Sequence, residues 1–197
     1  MTAFTFDDTH AVHAQAGHPE RPERLQAVRT LLEREGLWEA ARRLPTPEAP
    51  REALERVHPP AYLDLLDHVT ATGGAQLDTD TYATADSLGI ARRAVGGLLA
   101  VTDAVLSLEC TNGFALTRPP GHHARPFQPM GFCLLSNIAV AVEHARRVHG
   151  IRRVLVVDID VHHGNGTQEV FYADPDVLVV TSQQHALWPG TGALRET

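Results

Sequence analysis

The sequence predicts an α/β chain organised on a mostly parallel sheet, and three observations carry that prediction. Val154 to Val157 form a continuous β-branched and aliphatic run, which reads as a strand buried on both faces of a parallel sheet. Val177 to Val180 repeat the pattern and end at Thr181-Ser182. Between such runs, the second half of the chain shows helical periodicity, the alternation expected of a doubly wound sheet.

The elements follow in order. His18-Pro-Glu-Arg-Pro-Glu-Arg leads into a helix with Pro22 near its first turn, Glu23 at its positive end, Leu25, Val28 and Leu32 on one stripe, and Gly36 as its stop. Three prolines in residues 45–50 make a loop, and Leu54 and Val57 suggest a short helix. Tyr62, Leu65, Leu66 and Val69 predict another amphipathic helix after Pro59 and Pro60, closed by Gly73 and Gly74. Residues 77–82 read as an irregular loop. A long helix is expected from about Asp86 to Leu108, its apolar face carrying Val95, Leu98, Leu99, Val105 and Leu106, and a short strand from Phe114 to Leu116. Gly131-Phe-Cys133 leads into a helix through Ile138, Val142 and Ala145 that stops at Gly150, before the central strand. No internal repeat, low-complexity tract or linker divides the chain, so residues 1–197 read as one domain.

Composition excludes several functions. At 197 residues, with 43% hydrophobic and 21% charged residues, the chain has the make-up of an ordinary globular domain. A net charge of −7 and a pI near 5.9 provide no basic footprint for direct nucleic-acid binding and no attraction to an anionic membrane. With no signal-peptide pattern and no 18-residue apolar run, a cytoplasmic location is expected. Cys110 and Cys133 lie in apolar surroundings outside any Cys-x-x-Cys spacing and read as reduced packing residues. All 17 basic residues are Arg; the 12 His are more informative, because imidazole both ligates metals and titrates near neutral pH.

The chemistry concentrates after Val157. Asp158, Asp160 and His162 recur at every second position, so continued extended geometry would point them to one side at the strand's carboxyl end, where open α/β sheets bind ligands. Asp160 and His162 are an oxygen and a nitrogen donor of the kinds zinc accepts; a catalytic zinc takes three protein ligands. The bland alternative is a turn-capping Asp and a core His, and the clustering in Asp-x-Asp-x-His-His-Gly weighs against it. His122 and His123 follow Pro119 and Pro120 in a stiff loop. Two adjacent imidazoles resist being charged together, which suits a pair in which one takes a proton and the other gives it. Asp158, not needed by a metal, is available to fix one ring's tautomer. On residues alone, Phe132 and Trp188 read as core aromatics and His18, His58, His144 and His149 as helix ends or faces. Asp78 and Asp80 fit turn chemistry as well as a site.

Taken together, Arg118-Pro-Pro-Gly-His-His-Ala124, Gly131-Phe-Cys133, Val157-Asp-Ile-Asp-Val-His-His-Gly-Asn-Gly-Thr-Gln168 and Pro189-Gly-Thr-Gly192 resemble the zinc-dependent histone deacetylase superfamily, and His18-Pro-Glu-Arg-Pro-Glu-Arg-Leu25 also matches. Asn165, where many members have Asp, and the Gly-Thr-Gln after it resemble the class II branch with its bacterial deacetylase and acetoin-utilization-like members. The resemblance implies a three-layer arginase-deacetylase fold with a mostly parallel central sheet, and hydrolysis of an acetyl group from an acetylated protein lysine or an acetylated small amine. It implies one Zn²⁺ held by Asp160 and His162, and His122 paired with Asp158 and His123 with Asn165. Gly131 would meet the substrate amide, while Phe132 and Trp188 would flank a narrow channel for the aliphatic stem. A structural monovalent cation such as K⁺ would use Asp158, Asp160, His162 and Thr181.

Family members take a second zinc-binding Asp and an oxyanion-stabilising Tyr or His from segments beyond the match, and no Asp follows Asp176 and no Tyr follows Tyr172 here. The expectation is therefore an N-terminal portion of a deacetylase catalytic domain, truncated at the C-terminus, with an open sheet edge and apolar faces, weak zinc binding and slow or absent turnover. Two rivals differ in class. An arginase-type amidohydrolase with two manganese ions demands more carboxylates than the single Asp-x-Asp-x-His cluster supplies. An inactive acyl-lysine binding module fits the missing third ligand but not the full histidine pair. The sequence does not set the oligomeric state or which histidine is the base.

Overall fold

The computed structural model describes residues 1–196. In chain order the elements are β1 (Thr2–Phe6), α1 (Glu23–Arg34), α2 (Leu37–Ala40), β2 (Arg42–Leu44), α3 (Arg51–Leu54), α4 (Pro60–Ala71), β3 (Gly74–Gln76), β4 (Tyr82–Thr84), α5 (Ser87–Leu106), β5 (Asn112–Leu116), α6 (Asn137–His149), β6 (Val154–Asp158), α7 (Asn165–Phe171) and β7 (Val177–Thr181). A 3-10 turn occupies Asp8–Val12.

Alternating side chains of β1 establish the layers. Phe4 and Phe6, with Leu116, pack on one face against Leu25, Leu32 and Trp38 of α1 and α2. Ala3 on the other face meets Leu44, Cys110 and the α5 residues Val101 and Ala104. The sheet β2-β1-β5, parallel throughout, is thus sandwiched between helices on both sides. A larger core gathers α3, α4, α5 and α6 around Leu54, Leu63, Leu66, Val95, Leu134, Leu135 and Val140, and Val156, Phe171 and Val177 close it. Both cysteines are buried and free, as expected. No described helix is long and apolar enough to cross a membrane.

The α/β class and the parallel pairing agree with the sequence reading; several local expectations do not. Among the described residues the parallel strands pair as β2-β1-β5 and β6-β7. β6 is not buried on both faces: Val156 is 8% exposed, whereas Leu155 and Val157 are 59% and 58% exposed. Among the described residues α6 and α7 supply cover for one face only, so Leu155, Val157, Leu178 and Val180 form an open apolar surface. β1 and β2 were not foreseen. The loop expected at residues 77–82 is the connection of an antiparallel hairpin, in which Gly74 to Gln76 pair with Thr84 to Tyr82. Leu65 stands on the expected apolar stripe of α4 yet is 50% exposed, because α4 is covered on the side of Tyr62, Leu63 and Leu66.

Candidate active site

Two loops converge at the carboxyl ends of the parallel strands. One leaves β5 and carries His122 and His123; the other leaves β6 at Asp158 and ends in α7. The extended geometry expected through His162 is absent, since β6 stops at Asp158 and the chain bends. Carboxylate-capped turns gather the residues instead: the Asp160 N–H donates to Asp158 Oδ1 at 3.0 Å, and the His162 N–H donates to Asp160 Oδ1 at 2.8 Å. Asp160 Oδ1 and His162 Nδ1 end 3.3 Å apart. Two corners of one tetrahedral zinc, with bonds of about 2.0–2.1 Å, would stand about 3.3 Å apart, so the donor pair has the chemistry and spacing for it.

The two adjacent imidazoles face each other with ring centroids 3.8 Å apart, tilted by 41°. His122 Nδ1 donates to Asp158 Oδ2 at 2.8 Å, and His123 Nδ1 donates to Asn165 Oδ1 at 2.8 Å. An oxygen acceptor at each Nδ1 fixes the proton there and leaves Nε2 as the reactive nitrogen. Asn165 opens α7, and its Nδ2 donates to Met130 Sδ at 3.4 Å, so the carboxamide is held at both ends. Burial pushes the His123 imidazole down to about 4, and His122 beside it acts in the same direction. Burial would raise the Asp158 carboxyl, but hydrogen bonds from His122 and the Asp160 N–H outweigh it and hold Asp158 below the usual carboxylate range.

Two glycines permit this packing. Gly131 has φ +55°, and a Cβ there would lie 2.4 Å from His123 Cδ2 and 2.6 Å from Trp188 Cη2. At Gly164 a Cβ would lie 2.3 Å from Asp158 Oδ2 and 3.3 Å from His122 Nδ1. Phe132, also left-handed at φ +69°, donates its N–H to Thr81 Oγ1 at 3.0 Å and sets its ring edge-on to His18. The Trp188 ring meets His123 edge-on at 4.7 Å and His162 at 5.9 Å. Both aromatics line the cleft rather than the core.

The result is a cleft of about 520 Å³ lined by His122, His123, Gly131, Phe132, Asp160, His162 and Trp188, joined by Pro19, Glu20, Arg24 and Asp80. Asp158 and Asn165 stand behind the histidine pair. Thr181 is the register partner of Asp158 at the end of β7, and the Ser182 N–H donates to Asp158 O at 2.9 Å, so Asp158, Asp160, His162 and Thr181 share one end of the β6-β7 sheet.

Sequence reasoning missed the support beneath the site. Arg118 donates from Nε and Nη2 to the Glu20 carboxylate and, at 2.9 Å each, to the carbonyls of His10 and His13; Arg118 is 3% and Glu20 1% exposed. Both residues lie in motifs singled out from the sequence, yet nothing in it says which acid meets which base. His163 Nδ1 bonds Thr191 Oγ1 at 2.7 Å and ties the loop of residues 189–192 to the site.

Comparisons with known proteins agree with this geometry. Residues 18–197 match the family model described as the histone deacetylase domain. A histone deacetylase-like amidohydrolase of Pseudomonas aeruginosa is 44% identical, over 89% of this chain and 46% of that protein. A probable deacetylase of Archaeoglobus fulgidus is 40% identical, over 98% of this chain and 54% of that protein. The human polyamine deacetylase HDAC10 is 40% identical, over 86% of this chain and 27% of that protein. The crystal structure of the HDA15 HD domain superposes with a TM-score of 0.95 at 38% identity, covering 99% of this chain and 57% of that one. The chain spans about half the length of the first two curated relatives. With the arginase-deacetylase arrangement, the paired histidines and the matching domain model together, the chain belongs to the histone deacetylase family.

Proposed function

We propose that this chain carries part of the active site of a zinc-dependent hydrolase that removes an acetyl group from an acetylated lysine or similar amine. One observation carries the reading: paired imidazoles with both Nδ1 atoms fixed by oxygen acceptors stand in the same cleft as the Asp160–His162 donor pair. Asp160 and His162 would hold the zinc, which when bound supplies Lewis acidity toward the acetyl carbonyl and a water of lowered pKa.

The chain's own groups do the rest. The histidine pair takes a proton from water at Nε2 and delivers one to the leaving amine. The ionised Asp158 stabilises His122 as it gains charge, while the neutral amide of Asn165 orients His123 without adding charge. Phe132 and Trp188 favour a neutral acetylated stem over a charged free amine, which assists product release. The backbone of Gly131, kept bare of a Cβ, meets the substrate amide. Asp158, Asp160, His162 and Thr181 would hold a monovalent cation such as K⁺ as a structural ion.

Support for a deacetylase comes from the family and from relatives named deacetylase and amidohydrolase. A relative named polyamine deacetylase makes acetylated polyamines a substrate class to test beside acetyl-lysine. The second reading, an acyl-lysine binding module without turnover, is favoured by one observation: among the described residues no third ligand side chain groups with Asp160 and His162. Full-length protein is stripped with chelator, reloaded with zinc, and offered acetyl-lysine peptide and acetylspermidine. Zinc-dependent acetate release supports the hydrolase; binding of either compound without release at any zinc level overturns it in favour of the module.

A further inference from the structure

A second cluster of ligand side chains lies outside the cleft. Asp103 in the last turn of α5, and His144 and His149 of α6, bring one oxygen and two nitrogens within 4.8 Å of one another. Both imidazoles donate from Nε2 to the same Asp103 Oδ1, His144 at 2.6 Å and His149 at 2.7 Å, with ring centroids 5.9 Å apart. The topology separates this cluster from the active site. α5 ends just before β5 and α6 just before β6, so both helix ends lie at the amino edge of the parallel strands, whereas the cleft lies at the carboxyl edge.

We propose that Asp103, His144 and His149 form a second metal site, for a single divalent ion of the zinc type, that clamps α5 to α6. Two imidazoles and one carboxylate suit zinc, nickel or copper, and disfavour magnesium and calcium, which take oxygen shells. The two nitrogen–oxygen separations open by about 0.6 Å from their hydrogen-bonded lengths to reach the roughly 3.3 Å spacing of a tetrahedral ion. The imidazole side chains are 13% and 17% exposed and so are already positioned, while the carboxylate is 47% exposed and leaves room for water as a fourth ligand. Both helices direct the negative ends of their dipoles toward a cation here. The αL residue Gly150 caps α6, its N–H donating to Ala145 O, and fixes the backbone at His149. On metal binding each Nε2 lone pair faces the ion and the ring proton resides on Nδ1.

The test uses Zn²⁺ titrated calorimetrically into full-length protein carrying Asp160→Ala and His162→Ala, which removes the proposed catalytic ligands. One equivalent is expected to bind, and His144→Gln with His149→Gln in the same background should weaken it by about 10-fold or more. If the glutamine pair fails to fold, Asp103→Asn, which keeps the shape and removes the charge, should give a comparable loss. Absence of zinc binding in the Asp160, His162 background, or binding unchanged by these variants, overturns the proposal. So does displacement of the zinc by equimolar Mg²⁺.

Discussion

At Gly164 the absence of a single atom shapes the candidate site. A Cβ there would stand 2.3 Å from Asp158 Oδ2, the atom that accepts from His122, so Gly164→Ala must push the carboxylate off the ring. Turnover is expected to fall by about 10²-fold with the chain still folded, the magnitude typical of losing general acid–base catalysis; acetate release and circular dichroism measure the two together. The Asp-x-Asp-x-His spacing was legible, and Asp158, Asp160 and His162 do stand together, but not by the geometry expected. Strand alternation would have juxtaposed them, yet side-chain caps on two successive turns do so. The pairing of His123 with Asn165 was readable only through family resemblance, because no local pattern links positions 42 residues apart.

Elements carry the site by holding its loops in place, and the Arg118–Glu20 pair pins the loop that carries His122 and His123. It joins the segment after β5 to the segment before α1, and both side chains are buried with charge-assisted hydrogen bonds. Arg118→Ala leaves the Glu20 carboxylate buried without its partner and should cost about 3–5 kcal/mol, read from the midpoint of urea unfolding. A loss below about 1 kcal/mol would mean that the pair behaves as a surface bridge. The longer helices were well read because capping and periodicity are local: α6 stops at Gly150 and α4 ends before Gly73 as expected, whereas the short α2 and α7 were not foreseen. β1 was missed although Ala3 faces one core and Phe4 and Phe6 the other, because its strand character comes from pairing with residues 42–44 and 112–116. The β6-β7 pair was recognised but its burial misjudged, since an apolar run states affinity for cover and not whether cover is present.

For the whole molecule, pH links stability to histidines remote from the reaction. His58 is fully buried: Nδ1 donates to Pro126 O and Nε2 accepts from the Ser136 N–H, an arrangement that only the neutral ring can make. Burial pushes its pKa down to about 4, and His13, buried against Ser87 and Tyr82, is likewise lowered to about 4. With both folded values below the unfolded value of 6.5, the unfolded chain binds the extra protons. The stabilisation is therefore complete above pH 6.5 and is lost as pH falls toward about 4. His58 alone contributes about 3 kcal/mol across that window. Urea midpoints should decline steadily over that range, and His58→Gln should flatten the decline while lowering stability at pH 7.5. A midpoint independent of pH would show that these rings are not held neutral.

All scales meet in the assignment of proton transfer to the His122–His123 pair and of zinc to Asp160 and His162. The most direct test is zinc content and acetyl-lysine turnover measured on the same preparation of the full-length His123→Ala protein. The account predicts zinc retained at the wild-type level with turnover reduced by about 10²-fold. Loss of zinc together with turnover would contradict it, because His123 would then be a ligand and not a proton carrier.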